Sequence, residues 1–178
     1  MFGSLHPSKK VHLILPEILT FLNDTQSHIK CVYIGKERQH LLDLLDEKVK
    51  KIADQYLLSP GFISEEEVSA LYQEGAIAVS YFTDGISSRR GSAIASLQHG
   101  CPLISTFHED YTHSLFKDKK YIYLTDVKHF EHNFSNLLKI AIDQYSTFSS
   151  DEIKSFFNEN FSWDEIISTY IKTTSDIV

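Results

Sequence analysis

The run Ala76-Ile77-Ala78-Val79-Ser80-Tyr81-Phe82 constrains the fold more than any other feature of the chain. It is a near-continuous apolar strand, the pattern expected of a strand covered on both faces. Such a strand needs a layer of helices on each side of its sheet, and the remainder of the sequence alternates strand and helix accordingly. Met1 to Ser4 reads as the tail of a strand, followed by a loop over Leu5 to Ser8. A helix is expected from Lys9 to Asn23, with Pro16 as a breaker inside it. His28 to Ile34 alternates apolar and polar positions and stops at Gly35, a second strand. Leu41, Leu42, Leu44, Leu45, Val49 and Ile52 mark one apolar face of a helix spanning Lys36 to Ala53.

Tyr56 to Leu58 predicts a short strand ending at the turn Ser59-Pro60-Gly61. Ser64 with Glu67 forms a capping box that opens a helix running to Glu74. After the apolar strand come a short helix stopped by Gly100, a strand from Cys101 to Thr106 and another from Tyr121 to Leu124. Helices are expected over Lys128–Tyr145, Ser150–Asn158 and Ser162–Thr173, the last opened by a second capping box at Ser162 and Glu165. Alternation of this kind predicts parallel β-α-β units: an α/β, three-layer, Rossmann-like sheet of about six strands with helices on both faces, as a single domain over residues 1–178. In open sheets of this class ligands lie beyond the carboxyl ends of the strands. The loops to inspect are therefore Gly3–Lys9, Gly35–Glu37, Pro60–Ile63, Asp84–Ser92 and Phe107–His113.

Composition narrows the classes. The chain has 178 residues and a formal net charge of -7, which argues against general binding to nucleic acid or a membrane surface. Two cysteines, Cys31 and Cys101, provide neither a disulfide framework nor a metal cluster, which suits a reducing cytoplasm. The nine histidines form no metal-binding signature, so no metal and no resident cofactor are expected. No apolar run approaches the roughly 18 residues that a membrane span needs, and no signal peptide is evident.

Against that acidic background, Asp84-Gly85-Ile86-Ser87-Ser88-Arg89-Arg90-Gly91-Ser92 concentrates two arginines just before a helix. A helix N-terminus offers unpaired N–H groups and roughly half a positive charge, and arginine adds planar donors matched to phosphate oxygens. Two solvated arginines on a surface loop account for the same letters. Gly3 at a strand end with Lys9 opening a helix suits close approach to a diphosphate, or else is a plain N-terminal loop. Pro60-Gly61-Phe62-Ile63 could hold a flat base or form a tight turn. The Gly-x-x-x-x-Gly-Lys loop, the Gly-x-Gly-x-x-Gly fingerprint and the Gly-x-Ser-x-Gly elbow are all missing.

Taken in order, Phe-Gly-Ser-Leu-x-Pro-x-Lys, strand-Ile-Gly, Pro-Gly-Phe-Ile-Ser-x-x-Glu-Val, Tyr-Phe-x-Asp-Gly-Ile-Ser-x-Arg-Arg-Gly-Ser and His-Gly-x-Pro-Leu-Ile-Ser-Thr resemble the C-terminal half of a GT-B glycosyltransferase of the family-4 type. The resemblance covers residues 2 to 175. It implies a donor-binding domain for a nucleotide sugar, with UDP as the nucleotide, in glycan or cell-surface polysaccharide synthesis. It implies further that Gly3, Lys9, Gly91 and Ser92 lie at the donor phosphates, and that Gly61, Phe62 and Ile63 hold the base. Ser4 stands where many members place a phosphate-binding arginine, for which Arg89 or Arg90 could substitute. The family's two glutamates fall on Ser87 and Ala95, or on Ser88 and Ser96, so Ser87 and Ser88 are the residues left at the donor sugar and ribose. By the same resemblance the first strand is truncated and the N-terminal acceptor half is absent. The chain alone is then expected to be inactive, to need that half or a partner subunit, and to be prone to self-association. The alternative is a degenerate interaction domain that keeps the fold without the chemistry.

Overall fold

The computed structural model describes residues 1–3, 7–35 and 38–175. The expectations attached to Ser4, Leu5, His6, Lys36 and Glu37 lie outside these residues.

Six strands and eight helices alternate along the described chain: β1 (Phe2–Gly3), α1 (Val11–Asp24), β2 (Cys31–Gly35), α2 (Arg38–Leu42), α3 (Glu47–Tyr56), β3 (Leu57–Gly61), α4 (Glu65–Gln73), β4 (Ala78–Val79), α5 (Gly91–Gln98), β5 (Leu103–Phe107), β6 (Ile122–Asp126), α6 (Phe130–Asp143), α7 (Ser150–Phe161) and α8 (Trp163–Ser175). Every strand pair is parallel. The strands do not form one sheet of six. They form two three-stranded sheets, β1-β2-β3 and β4-β5-β6. This corrects the expectation of a single sheet, and it moves the apolar strand from an interior position to an edge of the second sheet. Only Ala78 and Val79 keep strand pairing there.

The alternation of side chains along the strands explains the layers. Val79, Ile104 and Tyr123 join one buried cluster with Ile14, Leu15 and Leu19 of α1, Ala53 of α3 and Phe134 of α6. Their chain neighbours Ala78, Leu103 and Ile122 enter a second cluster with Tyr72 of α4, Leu97 of α5 and Ile153 of α7. Successive residues of a strand point to opposite faces, so a strand that is apolar throughout feeds both layers at once. Cys31 and Tyr33 of β2 lie in the same cluster as Val79 and Ile104, so the two sheets share one core.

The long helix expected over Lys36–Ala53 is two helices. Asp46 breaks it, because its carboxylate accepts from the Val49 N–H at 2.8 Å and caps α3, favouring a helix start over continuation. Pro16 is accommodated inside α1, where it leaves without an amide the carbonyl of His12, a residue on the exposed side. Both capping boxes form a helix start: Ser64 and Glu67 reciprocally at α4, and Ser162 accepting from the Glu165 N–H at 3.3 Å at α8.

Candidate functional site

The loop that follows β4 is fixed by its neighbours in the second sheet. The Thr106 hydroxyl donates to the Phe82 carbonyl at 2.6 Å and accepts from the Phe82 N–H at 3.1 Å, so a side chain continues the ladder beyond Val79. The Ile86 N–H donates to the Thr106 carbonyl at 2.8 Å. Between them Gly85 has φ +76°, and a Cβ there would stand 2.3 Å from the Thr112 Oγ1 and 2.6 Å from the His108 amide nitrogen. Only glycine lets the backbone take this shape and pass this close to the neighbouring loop.

The loop so held ends at Arg90, the residue preceding α5. The Arg90 guanidinium carbon lies 4.9 Å from the centre of the buried Phe82 ring and forms an ion pair with Asp84. Its Nε is buried and has no hydrogen-bond partner among the described residues. Lys9 arrives from the other sheet, at the end of the single helical turn Pro7–Lys9 that follows β1, and its ammonium lies 4.8 Å from the same ring centre. Burial lowers the Lys9 pKa, and the positive charge of Arg90 lowers it further, against the opposing pull of Asp84. Two cations therefore converge on one aromatic ring, with the Asp84 carboxylate paired to one of them. Each cation–π contact contributes about 0.5–2 kcal/mol, and neither compensates the like charge of the other cation.

At α5, which begins with Gly91, the Arg90 carbonyl accepts from the Ala93 and Ile94 N–H groups at 2.9 and 3.0 Å. The N–H groups of Gly91 and Ser92 precede the first of these bonds, as at any helix start. A Cβ on Gly91 would meet nothing within 4 Å, so the helix start faces open space. Arg90 joins this helix start to the Phe82 ring, where its guanidinium meets the Lys9 ammonium.

Among the sequence-derived candidates, the structure thus brings Lys9 and Arg90 to one place, with Gly91 and Ser92 following Arg90 in the chain. Arg89 is exposed and lines a surface groove with Ser87, Ser88, Gly91, Gln98 and Trp163. The Ser87 carbonyl accepts from the Arg90 N–H at 3.0 Å. Gly3, Gly35 and Gly61 end the three strands of the first sheet in near register, with Gly3 opposite Gly35 and Ile34 opposite Gly61. Gly61 has φ +81°, Ile63 is half-buried, and the Phe62 ring is 83% exposed, on the far strand from Gly3. Lys10, adjacent to Lys9, pairs instead with Glu131 of α6 at 3.1 Å.

Sequence reading assigned no role to Phe82, Asp84, Gly85 or Thr106. The first three lie within the Tyr-Phe-x-Asp-Gly motif, where an aromatic and an acidic residue beside two arginines was the available signal. Thr106, distant in sequence, gave none. Among the described residues no group of three or more His, Cys, Asp or Glu is placed to hold a metal ion, and no helix is long and apolar enough to cross a membrane.

No protein-family profile matches the sequence, and neither does any curated protein. Solved structures do match in shape. The pneumococcal O-GlcNAc transferase GtfA, in complex with UDP and GlcNAc, is similar with TM-score 0.68 and 16% identity over 99% of this chain and 35% of its own. TarM gives TM-score 0.67 and 16% identity over 97% and 34%. A glycosyltransferase from Rickettsia africae gives TM-score 0.64 and 12% identity over 99% and 46%. The chain therefore has the fold of a glycosyltransferase domain, and spans less than half the length of these proteins.

Proposed function

We propose that this chain is the nucleotide-sugar-binding domain of a glycosyltransferase, the C-terminal half of a GT-B enzyme of the family-4 type, and that the donor diphosphate sits between Lys9, Arg90 and the N-terminus of α5. The observation that carries this reading is the convergence of Lys9 and Arg90 on the Phe82 ring from two different sheets. Like charges are not held together for stability, and a diphosphate between them would offset both the burial and the lesser Arg90 repulsion that lower the Lys9 pKa. The likeness to GtfA, solved with UDP, supports UDP as the nucleotide. Gly91 and Ser92 would donate to the phosphates, Gly3 would allow their approach, and Gly61, Phe62 and Ile63 would meet the base. Ser87 and Ser88 would border the donor sugar.

As the sugar departs, negative charge builds on the nucleoside diphosphate. Lys9, Arg90 and the helix dipole are placed to stabilise it, an electrostatic contribution that needs no protein nucleophile. The acceptor would be held by another domain or subunit, so the chain alone binds donor without transferring sugar, in a cytoplasmic setting. Thermal unfolding with UDP, GDP and ADP tests the reading, since a ligand at 100 times its dissociation constant adds about 2.7 kcal/mol to stability. We expect a shift with UDP that Lys9→Ala removes. No response to any of the three would sink it.

A second reading, a degenerate interaction domain, is favoured by the Arg90–Asp84 ion pair, which already satisfies part of the guanidinium inside the chain, and by the serines or alanine where the family has glutamates. Displacement of Asp84 by UDP would decide against it.

A further inference from the structure

A groove of about 1000 Å³ lies among α5, the elbow joining α7 to α8, and the loop after β5. Aromatic rings line it from below: Phe161 stacks on Phe116 with ring centres 5.6 Å apart and planes 12° apart. α5 contributes Gly91, Ala95 and Gln98, spaced four and three residues apart and so on one helical face. Two of these are small, and a Cβ on Gly91 would meet nothing within 4 Å. The helix wall is therefore open over the ~10 Å from Gly91 to Gln98, at 1.5 Å rise per residue.

The elbow is held by Ser162, whose hydroxyl donates to the Asn158 carbonyl at 2.8 Å and accepts from the Glu165 N–H at 3.3 Å. Trp163 thus opens α8 beside the groove, with 77% of its surface exposed, and Tyr111 from the loop after β5 is 65% exposed. Two large rings left in water at one groove are a surface prepared for contact rather than a scatter of apolar residues.

The polar groups among these rings keep bonding capacity. Arg89 and Gln98 make no side-chain hydrogen bond or ion pair with any described residue, and the nearby Asp84 is taken by Arg90. Asn160 donates from Nδ2 to the Phe156 carbonyl at 2.8 Å, so its Oδ1 is the atom left to accept. His113 accepts at Nδ1 from the Leu115 N–H at 3.0 Å, so its ring proton sits on Nε2 as a donor. In a chain of net charge -7, Arg89 is the one charged side chain among the described residues lining the groove. Asp164 and Glu165 follow Trp163 in sequence but do not line it.

These features select a ligand chemistry. A pyranose ring presents C–H groups that pack on an aromatic face, whose negative quadrupole attracts them, and a rim of hydroxyls that needs donors and acceptors at the edge. An apolar peptide would leave Arg89, Gln98 and the Asn160 Oδ1 without partners once water is excluded. A neutral sugar would leave the Arg89 charge uncompensated, whereas a carboxylate or phosphate accepts its two parallel N–H bonds.

We propose that this groove binds an acidic oligosaccharide, a chain of pyranose rings bearing a carboxylate or phosphate. Trp163 and Tyr111 are its stacking platforms, Gln98, Asn160 and His113 meet ring hydroxyls, and Arg89 takes the anionic group. The groove stands at the upper end of the roughly 300–1,000 Å³ of ligand pockets and admits more than one sugar unit. It meets the candidate donor site at Gly91, which borders both. A glycan held here is gripped by units behind its reacting end, while the acceptor hydroxyl itself still depends on another domain. The assignment rests on the groove alone and stands whether or not Lys9 and Arg90 take a diphosphate.

Trp163 is the single tryptophan of the chain, so its emission reports on this groove. The full chain is titrated with oligogalacturonate, hyaluronan and phosphomannan tetrasaccharides, against neutral maltotetraose and the acidic peptide Glu-Gly-Glu-Gly. At least one acidic sugar is expected to shift the emission to the blue saturably and to protect it from iodide quenching. Arg89→Ala should weaken that binding about tenfold or more, and Gln98→Ala less, each with the unfolding temperature unchanged. Saturation-transfer NMR on the sugar ring protons reads binding without the fluorophore, and Trp163→Ala should abolish that signal. No response to any of the acidic sugars would overturn the proposal. So would equal binding of maltotetraose or of the peptide, or an Arg89→Ala variant of undiminished affinity.

Discussion

The two sheets each deliver one cation to the candidate site, but they secure it differently. In β4-β5-β6 the loop carrying Arg90 is tied down at Phe82, Gly85 and Ile86 by contacts with β5 and the loop after it, and β5 pairs with β6 over five positions. In β1-β2-β3 the strand leading to Lys9 has two residues, and the register of β2 on β3 shifts between Val32 and Ile34. Arg90 is thus preorganised by its own sheet, whereas the position of Lys9 depends on how firmly the first sheet is held against the second. A site that straddles the seam inherits the stiffness of the seam.

The difference can be broken most severely at Gly85. Gly85→Ala adds a Cβ into the Thr112 hydroxyl and the His108 backbone at a positive φ, and we expect a loss of about 2–5 kcal/mol in denaturant unfolding. Next, Arg90→Ala should weaken UDP binding by about 1.5–3 kcal/mol while Arg89→Ala leaves it unchanged, read by calorimetry. Equal losses would show that the loop is not oriented as described. Thr106→Val keeps the shape but strands the Phe82 N–H and C=O, and should cost about 1–3 kcal/mol in stability. It should also weaken UDP binding less than Arg90→Ala does, because it loosens the loop without removing a ligand group.

Lys9 allows a subtler test. Its pKa lies below the ordinary 10.5 in the free chain, and a bound diphosphate would raise it. Protonated Lys9 is the binding form, so affinity should be full below the free-state pKa and fall as pH rises through it. Lys9→Ala should flatten that profile. The smallest effect belongs to Lys10→Ala, which removes an exposed ion pair with Glu131 and should cost about 0–1 kcal/mol without changing UDP affinity.

Much of this was legible in the sequence. The strand and helix order and the two capping boxes follow from periodicity and turn residues, whereas the placing of Lys9 near an arginine came from the family resemblance and not from the residues themselves. The split into two sheets did not, because hydrophobic pattern reports that Ala76 to Phe82 is buried but not which strand lies beside it. The helix break at Asp46 was hidden because its leucines continue the apolar spacing across it. Which arginine turns inward depends on the ring of Phe82 and the carboxylate of Asp84, a tertiary fact. Thr106, which aligns that loop, is separated from it by a whole helix.

A crystal structure of the chain with UDP tests most directly whether a donor diphosphate sits between Lys9, Arg90 and the N-terminus of α5. The expected result has the diphosphate within hydrogen-bonding distance of the Lys9 ammonium, the Arg90 Nε and the Ser92 N–H, with the Asp84 carboxylate displaced from Arg90. A diphosphate bound elsewhere, with Lys9 and Arg90 still on the Phe82 ring and the Asp84 pair intact, would contradict it.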